Sequence, residues 1–273
     1  DEAKIDVTSQ KIIKELSVND FELFDYIVKP SEVTDVNNDS LLLIVDTQSP
    51  KIVMDQAILK KFKRIAVIDH HRTSDEGFVD TVFSYIEPYA SSTVELVSEM
   101  LNFYQRERVD IPAFEATIML AGIVVDTNNF TFRCGSRTFE AASNLREYGA
   151  DMIDIRRLLR NELNMQLNLA RYVQTAEIVL DNFAICLLDE EEVISDRTML
   201  AKVAEHLLNV ENMEATFAIA RFSDGLRTGV AVSARSYKSV NVQLIMEEMG
   251  LKSAFIIADK NTYSAAGEKV LKF

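Results

Sequence analysis

The stretch RIAVIDHH, residues 64–71, decides the fold of this 273-residue chain. An apolar run follows the opening arginine and stops abruptly at three polar residues. The segment LLLIVD, residues 41–46, has the same form. Continuous apolar runs with a polar carboxyl end are typical of parallel strands that are buried on both faces. We therefore predict two such strands, at residues 41–45 and 64–68.

Apolar residues recur at helical spacing between these two strands and after them. The predicted helices are residues 51–62, 90–105, 112–125, 136–148 and 151–160. Pro112 stands where proline is tolerated, in a first helical turn. A strand, a helix, a strand and then helices indicate an α/β domain with a mostly parallel sheet. Its ligand site is expected at the carboxyl ends of the strands.

The second part of the chain has a different pattern. Residues 161–180 contain helix formers throughout and neither glycine nor proline, so we predict a long connecting helix. Beyond it we predict a smaller α/β domain with strands at 183–188, 214–221 and 228–235 and helices at 198–208 and 240–249. The domains are thus 1–160 and 181–273, joined by 161–180. That helix has apolar residues on more than one side, so it packs between the domains or, as the alternative, in a homodimer.

Composition excludes several classes of protein. With 29 Lys and Arg against 43 Asp and Glu, the net charge of −14 argues against binding of long nucleic acid, although a small phosphorylated ligand remains compatible. The hydrophobic content of 48% excludes a largely disordered chain. No uncharged apolar run reaches the roughly 18 residues of a membrane helix, so we expect no membrane contact by this chain. Its two cysteines, far apart, fit a reducing compartment such as the cytoplasm.

Potential metal ligands gather at the ends of apolar segments. His70 and His71 follow the second strand, Asp46 ends the first, and Asp126 follows GIVV. Carboxylate and imidazole groups suit Mn²⁺, and carboxylates also suit Mg²⁺. A single aspartate at a strand end is more often a helix N-cap, but two of them together with Asp-His-His favour a metal site. The third histidine, His206, lies in a helical stretch and is expected to be structural.

These motifs resemble those of the DHH phosphoesterase superfamily. The tripeptide Asp-His-His follows VI at residues 67–68, with VDT at 45–47 before it and GIVVDT at 122–127 after it. Residues 83–94 (FSYIEPYASSTV) and 118–149 resemble the GdpP-type cyclic di-AMP phosphodiesterases. In that family a DHH domain is followed by a nucleotide-binding DHHA1 domain, which RTGVAVSARSYKSVNV, residues 227–242, resembles.

The resemblance implies two Mn²⁺ ions, with Mg²⁺ as the alternative, and hydrolysis of cyclic di-AMP to the linear dinucleotide pApA. Carried over position by position, Asp46 resembles the bridging metal ligand, and His70 and Asp126 resemble ligands of the second metal. His71 resembles the histidine near the scissile phosphate. Asp69 is expected to orient a histidine.

The resemblance also implies substrate contacts in both domains. Ser136 and Arg137 stand where the family places polar residues near the substrate, and the planar fork of an arginine suits phosphate. Ser136 is alternatively a helix N-cap, and the two roles can coexist. Ser233 and Arg235 correspond to the serine-x-arginine element that contacts nucleotide. The alternative for Arg235 is a solvated arginine at a strand end.

The chain departs from the family at two places. The family begins with His-x-x-x-Asp-x-Asp, but no histidine precedes His70, so we expect an N-terminally incomplete DHH domain. Its three remaining ligands would hold one ion weakly. The family's Gly-Gly-His loop is also missing. A different loop, a degenerate site and an altered chain end all remain open for the segment that contains Gly250, Leu251, Lys252, Phe255 and residues 265–267.

Three functions therefore remain. The first is a metal-dependent phosphodiesterase that acts on cyclic di-AMP. The second is a DHH-family exonuclease or oligonucleotide phosphatase that acts on short linear nucleotides. The third is a catalytically incomplete nucleotide-binding fragment. The resemblance implies a cytoplasmic location, in a parent protein that is membrane-anchored in many members of the family.

Overall fold

Two compact units make up the chain, Asp1–Arg160 and Asn161–Phe273. The structure is a computed structural model. It describes residues 7–19, 24–53, 55–72, 77–103, 110–188, 192–195, 197–223, 225, 228–237 and 240–248. The segment around Gly250, where the family's Gly-Gly-His loop is missing, lies outside the described residues, so its alternatives stay open. No helix in these described ranges has both the length and the apolar character that crossing a bilayer requires.

Parallel strands form the sheet of the first unit. They are β1 (Leu41–Val45), β2 (Arg64–Asp69) and β3 (Phe83–Ile86), in the order β1-β2-β3. The two predicted parallel strands are confirmed, and β3 is an addition. The central strand β2 is the most deeply buried, which explains its uninterrupted apolar run. In the register of the sheet Val45 pairs with Ile68, so β1 and β2 end side by side.

The first unit also contains helices. They are α1 (Val7–Asn19), α2 (Gln56–Leu59), α3 (Thr93–Phe103), α4 (Ala113–Asp126), α5 (Ser136–Glu147) and α6 (Met152–Leu158). The predicted helix over residues 51–62 is wrong, because only the four residues of α2 are helical. Asp55 has an extended backbone and accepts a hydrogen bond from the N–H of Ala57. It is therefore the N-cap, and the helix begins only after it.

Apolar contacts fix the first unit around α4. The core of this unit includes Leu120, Ile123, Leu145 and Ile155, which come from α4, α5 and α6. A smaller cluster, Ile68 with Ala90 and Leu96, packs the end of β2 against α3. The amino-terminal end of α3 is thereby held beside the carboxyl end of the sheet, where the site was predicted.

The second unit contains a mixed five-stranded sheet. Its elements are α7 (Leu163–Gln174), β4 (Ala176–Val179), β5 (Phe183–Leu187), β6 (Val193–Ile194), α8 (Thr198–Leu208), β7 (Ala215–Ser223), β8 (Thr228–Ser236) and α9 (Val242–Glu248). The central strand β7 is parallel to β5 and β6 and antiparallel to β8. Strand β4 is antiparallel to β5.

The predicted connecting helix over residues 161–180 is wrong in its second half. Helix α7 ends at Gln174, and β4 follows and pairs with β5. The loop between these strands turns at Leu180 and Asp181, which both adopt positive φ angles, of 52° and 64°. Such turns are usually marked by Gly or Asn. Because neither residue type occurs at these two positions, the sequence pattern did not reveal the hairpin.

Alternate side chains of β7 serve two cores. Ala218, Ala220 and Phe222 pack with residues of α8, whereas Ala215 and Phe217 pack with Val242 and Met246 of α9. Burial on both faces accounts for the apolar character of this strand.

Candidate active site

Donor groups from three elements meet at the carboxyl ends of β1 and β2. The buried His70 places Nε2 3.5 Å from Oδ1 of Asp46 and 3.7 Å from Oδ2 of Asp126, the last residue of α4. His71 adds another ring, and donor atoms of Asp46, His70 and His71 all lie within 4.8 Å of one another. The structure thus brings together the residues predicted as metal ligands.

Asp46 owes its position to the backbone at the end of β1. Its N–H donates a 3.0 Å hydrogen bond to the carbonyl of Ile68, which continues the pairing with β2. Its φ angle is 65°, in the left-handed region that aspartate and asparagine tolerate better than most residues. The turn leaves the carboxylate more than half exposed beside His70.

The chemistry of these donors fits a divalent ion. Separations of 3.5 and 3.7 Å are longer than hydrogen bonds, yet one ion bonded at about 2.0–2.2 Å to each donor can span them. Two carboxylates and an imidazole suit Mn²⁺, and the carboxylates alone suit Mg²⁺. The side chains of Asp46, His70 and Asp126 are therefore compatible with the predicted ion.

Asp69 holds the neighbouring histidine. Its fully buried carboxylate accepts a 2.7 Å hydrogen bond from Nδ1 of His71 through Oδ1, and the same oxygen accepts the backbone N–H of His71 at 3.1 Å. When this carboxylate is ionised it can only accept, and Nδ1 then carries the proton while Nε2 keeps a lone pair for a ligand. The geometry is the one expected of an orienting carboxylate.

A buried carboxylate also supports the start of α3. Glu95 Oε2 accepts hydrogen bonds from Ser91, through both its hydroxyl at 2.6 Å and its N–H at 3.2 Å, and from the Thr138 hydroxyl at 2.8 Å. Thr93, in the same turn, donates to Asp46. No motif in the sequence indicated Thr93 or Glu95, although Thr93 lies within residues 83–94 and Glu95 follows them.

Arg137 lies at the amino-terminal end of α5, where its fork is held by Glu99. Both hydrogen bonds of this bidentate pair are 2.6 Å long. Glu95 Oε1 is 3.7 Å from the same guanidinium. Hydrogen bonding to Glu99 raises the pKa of Arg137 above its ordinary value, so the side chain stays charged at every working pH. The predicted phosphate contact stays a prediction.

Ser136 is exposed and is the first residue of α5. The N-cap alternative for Ser136 is wrong, because Gly135 occupies the cap position and its N–H donates to the Thr138 hydroxyl at 3.1 Å. The extended backbone of Gly135 comes directly before the helix, so the cap lies one residue earlier than predicted. An exposed serine at this helix end remains available to a ligand.

In the second unit, Ser233 and Arg235 lie on β8 opposite Ala218 and Thr216 of β7. The Ser233 hydroxyl is buried and has no hydrogen-bond partner among the described residues. Nη1 of Arg235 donates to the carbonyl of Ala234 at 3.2 Å, and the residue is partly buried near the end of β8, so the alternative of a solvated strand-end arginine stays open. Their nucleotide contacts stay predictions.

Residues 7–123 match the DHH family, N-terminal domain. The chain is 42% identical over 251 residues to the cyclic-di-AMP phosphodiesterase GdpP of Bacillus subtilis (strain 168), covering 91% of this chain and 37% of that protein. In fold it resembles an exopolyphosphatase-related protein from Bacteroides fragilis, with a TM-score of 0.60 at 21% identity, over 76% of this chain and 62% of the other.

Two relatives of lower sequence identity carry names that state other phosphate-containing substrates. One is a probable manganese-dependent inorganic pyrophosphatase of Thermotoga maritima, 28% identical over 64% of this chain and 31% of that protein. Another is the bifunctional oligoribonuclease and PAP phosphatase NrnA of Mycoplasma genitalium, 29% identical over 46% of this chain and 38% of that protein. The chain spans about a third of the length of these curated relatives. It belongs to the DHH phosphoesterase family, whose N-terminal domain it carries in residues 7–123.

Proposed function

We propose that this chain is a metal-dependent phosphodiesterase that hydrolyses cyclic di-AMP to pApA. The observation that carries the proposal is His70 between the carboxylates of Asp46 and Asp126, with the oriented ring of His71 beside it. The similarity to a protein named cyclic-di-AMP phosphodiesterase supports the choice of substrate. The net charge of −14 favours a small nucleotide over a long nucleic acid.

In this proposal Asp46, His70 and Asp126 hold a divalent ion, Mn²⁺ in preference to Mg²⁺. A bound ion of this kind supplies Lewis-acid stabilisation of charge on phosphate oxygens and lowers the pKa of bound water. His71 lies next to this point, with Nδ1 on Asp69 and Nε2 available to the substrate. Asp69, buried behind it, keeps the ring from rotating.

Basic and polar groups would bind the rest of the nucleotide. Arg137 stays charged through its pair with Glu99, and its side chain, which is 41% exposed, is proposed to contact a phosphate. Ser136 adds an exposed hydroxyl at the start of α5. In the second unit, Ser233 and Arg235 are proposed nucleotide contacts.

We also propose a cytoplasmic location, because both cysteines are free thiols and the substrate is a nucleotide. Homodimerisation stays a prediction. On α7 the side chains of Leu163 and Leu167, one turn apart, are exposed, while Leu169 packs into the core of the second unit.

Short linear nucleotides are a second candidate substrate. The name of the Mycoplasma genitalium relative, an oligoribonuclease and PAP phosphatase, favours this class. The donor set on β1, β2 and α4 would serve either substrate, since both present a phosphate ester to the same groups.

A parallel assay separates these proposals. The chain is incubated with cyclic di-AMP or with pApA, in Mn²⁺, in Mg²⁺ or with chelator, and the products are resolved by chromatography. In Mn²⁺ we expect cyclic di-AMP to be converted to pApA. Loss of the pApA product should follow only slowly. Faster loss of pApA supports the linear substrate. Binding of cyclic di-AMP without turnover supports a nucleotide-binding module and contradicts catalysis.

Two aspartates with similar backbones provide a matched pair of variants. Asp46→Asn keeps a side chain that tolerates the positive φ angle but removes the charge. Activity should fall about 100-fold or more, because several kcal/mol of charge stabilisation is lost. Asp80 also has a positive φ, of 60°, and is exposed outside the donor cluster. Asp80→Asn should retain activity.

A further inference from the structure

Gln48 lies two residues beyond Asp46 and is 95% buried, with a relative exposure of 5%. Its Nε2 faces three oxygens, at 3.3 Å from Oδ2 of Asp69, 3.0 Å from the carbonyl of His71 and 2.9 Å from the carbonyl of Arg72. No motif in the sequence pointed to this side chain. Its contacts are concentrated on the segment that carries the two adjacent histidines.

The orientation of the Gln48 amide is fixed by chemistry. Exchanging Oε1 and Nε2 would place an oxygen against three acceptors, which is repulsive, so the nitrogen must face them. This orientation leaves Oε1 buried and without a hydrogen-bond partner among the described residues. The contacts made by Nε2 therefore decide how this residue sits.

The carboxylate of Asp69 links Gln48 to His71. Asp69 uses Oδ2 for Gln48 and Oδ1 for Nδ1 of His71. Gln48 thus binds the free oxygen of the group that orients His71. It also fixes the two carbonyls that follow this ring in the chain. A donor at this point holds both the carboxylate and the backbone of the histidine segment.

We propose that Gln48 is a positioning residue that locks His71 as the Nδ1–H tautomer and directs its Nε2 toward the donor cluster. The proposal deepens the proposed function and rests on it for the role of His71. Free histidine favours the opposite tautomer, with the proton on Nε2. The lock is therefore a measurable property of the folded chain, independent of any hydrolysis.

The test uses the whole chain and begins without metal. Nitrogen-15 NMR of the imidazole rings reports the tautomer of each histidine, and there are only three histidines to assign. The variants are Gln48→Met, which removes the amide, and Gln48→Glu, which keeps its shape but turns an acceptor toward Asp69. Gln166→Met, at an exposed position of α7, is the matched control. Mn²⁺ affinity of each protein is then measured by calorimetry.

We expect wild-type His71 to be Nδ1–H and the Gln48 variants to lose this preference. Mn²⁺ affinity should stay within about twofold of the wild-type value in all three variants, because the proposed ligands Asp46, His70 and Asp126 are unchanged, and this shows that the donor cluster is still folded. The proposal is overturned if both variants keep the His71 tautomer of the wild type. Should both variants fail to fold, the wild-type spectrum decides alone, since an Nε2–H tautomer of His71 contradicts the lock and an Nδ1–H tautomer with slowly exchanging Gln48 amide protons supports it.

A failure of the proposed function has a different signature. If the wild-type chain binds no Mn²⁺ and hydrolyses neither nucleotide, the proposed phosphodiesterase fails. The tautomer of His71 and its dependence on Gln48 are still measured in that case, and they decide the positioning role.

Discussion

Thr93 Oγ1 donates a 2.9 Å hydrogen bond to Oδ1 of Asp46, which joins the first residue of α3 to the residue after β1. The same oxygen of Asp46 is 3.5 Å from Nε2 of His70. Thr93 is buried, so its hydroxyl has few other positions to occupy. It therefore restricts where the exposed carboxylate can point.

Replacing Thr93 by valine should weaken Mn²⁺ binding about 10- to 100-fold, because Asp46 loses the hydroxyl that orients it. Valine keeps the shape of the side chain, so the fold should remain intact. Thr93→Ser retains the hydroxyl and should bind Mn²⁺ as the wild type does. Calorimetric titration of the three proteins measures the effect, and equal affinity of the valine variant would show that Asp46 needs no support.

The Glu95 carboxylate should be important for stability. Glu95→Ala leaves the Ser91 and Thr138 donors buried without their acceptor, and each such group costs about 1–3 kcal/mol. We expect the free energy of unfolding to fall by at least about 2 kcal/mol in urea titrations followed by circular dichroism. Glu140→Ala, at an exposed position of α5, is the control and should change little. Comparable stabilities of the two variants would contradict this role.

Arg137 should affect substrate binding at all working pH values. Arg137→Lys keeps the charge but loses the planar fork, so we expect KM for cyclic di-AMP to rise about tenfold or more. Because Glu99 raises the pKa of Arg137, the charge is present throughout the accessible range, and the ratio of mutant to wild-type KM should not vary between about pH 6 and 9. Arg156→Lys, exposed on α6, serves as control. An unchanged KM would exclude the phosphate contact.

Asp151 should make stability depend on acid pH. Its carboxylate accepts the backbone N–H groups of Asp154 and Ile153 at the start of α6, and these hydrogen bonds lower its pKa. A lowered pKa in the folded state gives stability that is complete above the unfolded value of about 3.9 and is lost as the pH falls through the folded value. The stability advantage of the wild type over Asp151→Asn should therefore be constant from pH 7 to about pH 5.

Below about pH 4 that advantage should shrink, as urea titrations at several pH values will show. Asp151→Ala also loses the capping acceptor and should be less stable than Asp151→Asn at pH 7. A difference between wild type and Asp151→Asn that is the same at pH 7 and pH 3 would refute the assigned cause.

Sequence patterns predicted the strands and the donors for one physical reason. The apolar runs that end at Asp46 and Asp69 belong to parallel strands, whose carboxyl ends must meet at one edge of the sheet. Their polar end residues were therefore expected to gather. Asp126 reached the same place on a helix, and its proximity to His70 depends on how α4 packs.

Residues that act through tertiary contacts could not be predicted in this way. Thr93, Glu95 and Gln48 are ordinary helix or loop residues by local pattern, and their partners are distant in the chain or set by backbone geometry. Likewise, the pair of Arg137 with Glu99 joins two helices. The hairpin of β4 and β5 was missed for a local reason, because its first turn residue, Leu180, adopts a positive φ angle that leucine rarely adopts.

The three principal donors, Asp46, His70 and Asp126, come from separate parts of the chain and meet only after β1, β2 and α4 have packed. These three residues are far apart in the unfolded chain, so an ion held by all of them binds the native state in preference. Native-state binding adds about 2.7 kcal/mol of stability when the free ion is at 100 times its dissociation constant. The concentration of the ion in the cell would then affect how long the chain survives proteolysis.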